Sequence, residues 1–258
     1  MTEQTAWIEP SLPLDLMHKQ VDLWCARLDV ATEVVGELYS FLSPHEKVRA
    51  DRFRFAKDRS RFVVSRGALR ELLGGYLKVA PASVELANDE KRKPFVQAPH
   101  LTSQARVRFN ASHSESLAVF AFSKELELGV DIEHIHRDVD FEAISESRFA
   151  RAERLQLNQL SPDARREAFF LGWTRKEACL KATGEGLRTA LDSFAVSLQP
   201  SPGPILLKMK AFPMSTMYSF IPAADYAGAV VAEGTGHDLR FWKWKHPLDG
   251  NPHLAAQG

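Results

Sequence analysis

The feature that most constrains this chain is a short strand that must carry two carboxylates side by side. Residues 126–133 read Leu-Glu-Leu-Gly-Val-Asp-Ile-Glu, and along a β-strand alternate side chains leave on opposite faces. Val130 and Ile132 therefore share one face, and Asp131 and Glu133 the other. Further on, Trp173-Thr174-Arg175-Lys176-Glu177-Ala178-Cys179-Leu180-Lys181 follows a helical pattern that puts Glu177 and Lys181 one turn apart on a single face. If this helix packs on that strand, three carboxylates and one ammonium converge. Buried acids need partners, and a site of hard oxygen donors suits magnesium, which keeps its own waters and bridges phosphates. The His and Cys spacing of a zinc site is absent.

Composition narrows the rest. The 258 residues, with a formal net charge of zero, suffice for one large domain or two small halves. A balanced charge argues against nucleic acid, which favours a strongly basic face. Cys25 and Cys179 stand too far apart in the sequence to suggest a disulfide framework, so a reducing compartment is expected. The polar start lacks the basic and apolar regions of a signal peptide. No apolar run approaches the roughly 20 residues of a membrane helix. The chain is expected to be cytoplasmic.

Residues 21–28 alternate as a strand. Ser43 and Pro44 open a helix, as Ser161 and Pro162 do later. The arginine-dense stretch that follows Pro44 leads to a helix over 61–77. A strand is expected at 83–86, a charged turn at 89–94 and a strand pair over 107–122. Beyond the strand 126–133, the pattern predicts a helical region over 141–159 and a long helix over 163–183. A turn follows at 199–204, then strands from 205 that end at 240–245. A shift of 111 residues lays Phe109 on Phe220, the run 118–121 on 229–232, and Leu69 on Leu180. One offset that serves both a helix and a strand pair favours an α+β fold of two similar halves with pseudo-twofold symmetry and the active site between them. The halves are expected at 1–125, with the Arg-rich segment and a Ser-His-Ser turn, and at 126–245, with the acidic site; 246–258 is expected to be a flexible tail.

Phe109-Asn110-Ala111-Ser112-His113-Ser114 joins two strands and offers hydroxyl and imidazole groups to a phosphate, although these residues also form ordinary turns. No Gly-x-Ser-x-Gly elbow surrounds either serine. Neither a Gly-x-Gly-x-x-Gly nor a P-loop pattern occurs.

Three phrases in this order, FNASHS, LGVDIE and WTRKEACLKATGEGL, resemble the Sfp-type 4′-phosphopantetheinyl transferases. The family pattern is a Ser-His-Ser turn, then Gly-apolar-Asp-apolar-Glu, then an aromatic followed by x-x-Lys-Glu-Ala/Ser-x-x-Lys. The length fits the two-halved monomeric type. The resemblance implies transfer of the 4′-phosphopantetheine group from coenzyme A to a serine of an apo acyl or peptidyl carrier protein, with release of 3′,5′-ADP. It implies that Asp131, Glu133 and Glu177 surround Mg²⁺, that Lys181 neutralises or protonates the departing nucleotide, and that Glu177 is the candidate base. It assigns substrate contacts to Ser112, His113 and Lys93, and the 3′-phosphate to Arg49 and Arg61. Two departures stand out: Arg92 replaces the family's usual glycine before Lys93-Pro94, and residues 94–107 resemble an insertion. A metal-dependent pyrophosphohydrolase and a binding module without catalysis are the rival readings.

Overall fold

The computed structural model describes residues 4–10, 14–97, 107–135, 139–186 and 189–248. Its elements stack as helix, sheet, sheet, helix. The first sheet has the order β10-β1-β5-β4, from β1 (Gln20–Arg27), β4 (Val107–Ser114), β5 (Leu117–Lys124) and β10 (Asp238–Lys243). The second has the order β6-β9-β8-β7, from β6 (Leu128–His134), β7 (Ile205–Leu207), β8 (Ser215–Phe220) and β9 (Tyr226–Glu233). A short hairpin, β2 (Leu86–Asn88) with β3 (Pro94–Val96), stands apart from both.

Alternation along the central strands sorts the core into layers. Trp24, Ala26, Ala118, Phe120 and Phe122 face α3 (Ala56–Leu77), which contributes Val63, Val64, Leu69 and Leu72. The opposite faces, with Val21, Leu23, Val119 and Ala121, meet Val130, Ile132 and Val230 of the second sheet. Behind that sheet, Ala229 and Val231 pack on Ala178 and Ala182 of α6 (Pro162–Thr183). A strand buried on both faces must be apolar throughout, which is why 117–122 carries no charge.

The long helix 162–183 and the strand pair 107–124 lie where their periodicity put them. Ser43 forms a complete capping box with Glu46 at the start of α2 (Pro44–Ala50). Elsewhere the structure departs from expectation. An additional helix, α1 (Thr32–Phe41), lies between β1 and α2. Helix α3 begins at Ala56 rather than at 61, and passes both glycines before Lys78 ends it at φ 58°. In place of a strand at 83–86, a 3-10 turn at Pro81–Ser83 precedes β2. The region 141–159 is two helices, α4 (Phe141–Arg148) and α5 (Arg151–Asn158), broken where Phe149 turns extended to bury its ring. Strand β10, placed by sequence in the second half, pairs in parallel with β1 of the first sheet. His246, expected in a flexible tail, is 2% exposed, and Leu248 packs on the first core. Most of the 94–107 segment lies outside the described residues, as do 249–258. No helix among the described residues is long and apolar enough to cross a membrane.

One glycine decides how the second half is assembled. A Cβ on Gly129 would lie 2.2 Å from the Ala182 nitrogen and 2.3 Å from the Ala178 carbonyl oxygen. Strand β6 thus runs directly against the backbone of α6, and only a residue without a side chain fits. Gly129→Ala is expected to cost about 1–3 kcal/mol or more through overpacking, read as a lower unfolding midpoint. Because the contact sets where Lys181 stands relative to Asp131, activity should fall with it.

Candidate active site

The Gly129 contact places the acidic strand beside the helix that carries Glu177 and Lys181. The Lys181 ammonium donates to Asp131 Oδ1 at 2.7 Å and to Ser112 Oγ at 3.0 Å. The Ser112 hydroxyl in turn donates to the same Asp131 oxygen at 2.8 Å. The second carboxylate of β6, Glu133, accepts from Ser114 Oγ at 2.8 Å. Asp131, Lys181 and Ser112, singled out in sequence as separate elements, therefore form one hydrogen-bonded group.

Asp131 is 4% exposed, and its Oδ2 is buried without a hydrogen-bond partner. Burial raises its pKa above the ordinary carboxylate value, more than Lys181 and Ser112 lower it; nearby Glu133 adds to the rise. Glu177 is raised as well, first by burial, then by the charges of Asp131 and Glu133, with Lys181 and Arg148 opposing. Among the described residues no hydrogen bond reaches the Glu177 carboxylate. No group of three His, Cys, Asp or Glu side chains there forms a ready-made cage. Yet a buried oxygen without a donor, beside carboxylates that disfavour each other's charge, fits a hard divalent cation.

A carboxyl whose pKa rises on folding adds stability that is fully present below its unfolded value and lost as pH climbs through the folded one. Asp131 and Glu177 should therefore weaken the metal-free fold between acid and neutral pH. Glu177→Gln removes one of these penalties. Denaturant unfolding of the metal-free protein should find the variant gaining on the parent as pH rises; a difference independent of pH would contradict the raised Glu177 value.

Beside this group opens a cleft of about 840 Å³. Glu177 and Lys181 of α6 line it together with Arg49, Arg61 and Arg66. His113 lines it too; partial desolvation disfavours its protonation, helped by Lys181, Arg49 and Arg66 and opposed by Glu133. The Arg49 guanidinium rests over the Phe62 ring, 5.1 Å from its centroid. Arg61 is held bidentately by Asp29 at 2.8 and 2.9 Å, with Glu115 at 3.2 Å, so an anion would have to share it. Arg66 was not among the sequence candidates, although helical spacing had a signal for it. Asp58, Arg61, Phe62, Ser65, Arg66 and Leu69 form one face of α3, and all six line the cleft.

Lys93, expected to contact substrate, lines the cleft as well. Its ammonium donates to Glu127 Oε2 at 2.7 Å, the Ala182 carbonyl at 2.8 Å and the Leu128 carbonyl at 3.1 Å. All three protons are committed, so in this arrangement Lys93 ties the β2–β3 hairpin to the end of α6 and offers no free donor to a phosphate. The Ser112 hydroxyl is engaged by Asp131 and Lys181. Arg92, which stands where glycine was expected, keeps glycine-like geometry at φ 66°, so the hairpin turn is retained at some backbone strain. Trp173 is a packing residue, stacked on Phe169 at 6.0 Å.

Two family profiles match the chain. Residues 127–231 match the 4′-phosphopantetheinyl transferase superfamily, and residues 31–125 match the 4′-phosphopantetheinyl transferase N-terminal family. The chain is 32% identical to the 4′-phosphopantetheinyl transferase HetI of Nostoc sp., across 93% of this chain and 99% of that protein. It is 28% identical to the 4′-phosphopantetheinyl transferase Sfp of Bacillus subtilis, over 62% of this chain and 67% of the other. The mouse L-aminoadipate-semialdehyde dehydrogenase-phosphopantetheinyl transferase matches at 26% identity, over 62% of this chain and 53% of the other. With profiles covering both parts of the chain and a relative matched along nearly its whole length, the chain belongs to the Sfp-type 4′-phosphopantetheinyl transferases.

Proposed function

We propose that this enzyme moves the 4′-phosphopantetheine group of coenzyme A to a serine hydroxyl of an apo acyl or peptidyl carrier protein, in a Mg²⁺-dependent reaction that releases 3′,5′-ADP. The observation that carries the reading is the joined group of Lys181, Asp131 and Ser112, with the orphaned Asp131 Oδ2, beside a cleft lined with arginine. Asp131, Glu133 and Glu177 would hold Mg²⁺, which would supply Lewis acidity and a template for the pyrophosphate.

The protein's own residues account for the rest. Glu177, with its raised pKa, is suited to accept the proton of the attacking serine, because a base works best when its pKa approaches the working pH. The serine oxygen forms a bond to the β-phosphorus as the bond to the nucleotide phosphate breaks. Lys181 meets the charge that develops on the departing oxygen. Arg49 and Arg61, with His113 beside them, suit the 3′-phosphate and nucleotide, since guanidinium groups match phosphate geometry. We place the two halves at 1–125 and 126–245, related by a pseudo-twofold axis, with β10 crossing back to complete the first sheet. In support, each sheet is backed by a helix of 22 residues. We read the enzyme as a cytoplasmic monomer; Cys25 and Cys179 are both buried and free.

The test is incubation with coenzyme A, Mg²⁺ and an apo carrier, followed by mass measurement of the carrier. A gain of one phosphopantetheine, abolished by chelator, is expected. Coenzyme A cleavage with no gain would support the hydrolase reading, and coenzyme A binding with no gain across several carriers the binding module.

A further inference from the structure

Where the edges of the two stacked sheets approach, at β4 and β6, no backbone ladder joins them. Strand β4 ends the first sheet and β6 ends the second, so each presents an open row of amide and carbonyl groups. Side chains at alternate positions of β4 fill the gap. Asn110 Oδ1 accepts from the Val130 amide at 3.0 Å, and Ser114 Oγ accepts from the His134 amide at 3.1 Å. Between them Ser112 donates to Asp131, while the Ser114 hydroxyl donates to Glu133. The Tyr226 hydroxyl adds a bond of 3.3 Å to the Ser114 carbonyl. Asn110, Ser112 and Ser114 are all under 9% exposed.

We propose that Asn110 and Ser114 are positioning residues. They form a clasp by which the first half fixes the register of the acidic strand against β4 and aims Asp131 and Glu133 at the metal. The ladder of β6 with β9, from Leu128 opposite Ala232 to His134 opposite Tyr226, sets register within the second sheet. Against β4 there is no ladder, and a slip of one residue there would offer the β4 side chains the wrong amides and the wrong face of β6. Two amide contacts with the same offset, 110 to 130 and 114 to 134, hold β6 in place against β4. Each serine joins a carboxylate to a second group, so the clasp couples strand position to carboxylate orientation.

This inference rests on the metal reading above, so its test separates the two. Amide hydrogen exchange reads the clasp without metal, and Mn²⁺ titration followed by electron paramagnetic resonance reads its consequence. In the full-length protein, Asn110→Ala should speed exchange at Val130, and Ser114→Ala at His134. Mn²⁺ affinity should fall about tenfold or more in each, as for groups that orient metal ligands, while the KM for coenzyme A stays near that of the parent. Ser114→Thr, which keeps the hydroxyl, should restore affinity. Unchanged exchange overturns the clasp, and faster exchange with unchanged Mn²⁺ affinity overturns its aiming role. A parent protein that binds no Mn²⁺ overturns the metal reading instead.

Discussion

Asp131→Asn is expected to lower carrier modification by about a hundredfold or more, the scale seen when a preorganised electrostatic group is lost, while the protein stays folded. The asparagine has nearly the same shape, so the packing around β6 need not change. What disappears is the charge that holds Lys181 at 2.7 Å, together with a buried carboxylate oxygen that has no donor. Burial already disfavours the ionised form of Asp131, so neutralising it should not destabilise the metal-free protein much. Initial rates by mass spectrometry, together with a thermal melt, would check this. Near-parental turnover with an unchanged melt would sink the assignment of Asp131.

The second large effect is on stability and concerns a residue next to the site. The Lys176 ammonium, fully buried, donates to Glu153 Oε2 at 2.8 Å and to the carbonyls of Leu191 at 2.7 Å and Phe194 at 2.5 Å. Glu153, 1% exposed, also accepts from the amides of Ala150 and Val196. The pair thus pins α5, α6 and the segment 190–196 to one point. Removing one partner leaves the other charge buried and alone, which costs about 3–5 kcal/mol. Lys176→Met keeps most of the volume, so its loss should report the charge rather than a cavity. At about 2–4 °C per kcal/mol for a chain of this size, the melting temperature should drop by roughly 6–20 °C. A drop of a degree or two would mean that water reaches Glu153 and that the pair is not the anchor.

Local signals made much of this legible. Helix α6 declares itself through the Ser161-Pro162 start, and its Lys-Glu face through spacing of four. The strand β6 is written in its alternation, and so is the pairing of Asp131 with Glu133. Helix α1 escaped because its N-cap is Ala31, which makes no side-chain cap, and because Gly36 and paired valines weaken its pattern. The partners of Lys93 were not legible, because they depend on where the last turn of α6 ends, a tertiary fact that no local pattern carries. The stretch with Asn110 and Ser114 read as a turn or as a source of phosphate contacts, whereas both residues lie within β4. Their bonds run to a strand twenty residues on, and no local pattern names such a partner.

The parallel pairing of β1 with β10 sets a timetable for synthesis. Strand β1 ends at Arg27 and its neighbour begins at Asp238, so 210 residues lie between them. At about 5–20 residues per second, an edge of β1 waits roughly 10–40 s on the ribosome before its partner is made. During that interval the first half presents an open apolar strand to its surroundings. The last strand completes both the sheet and the protection of the nascent chain.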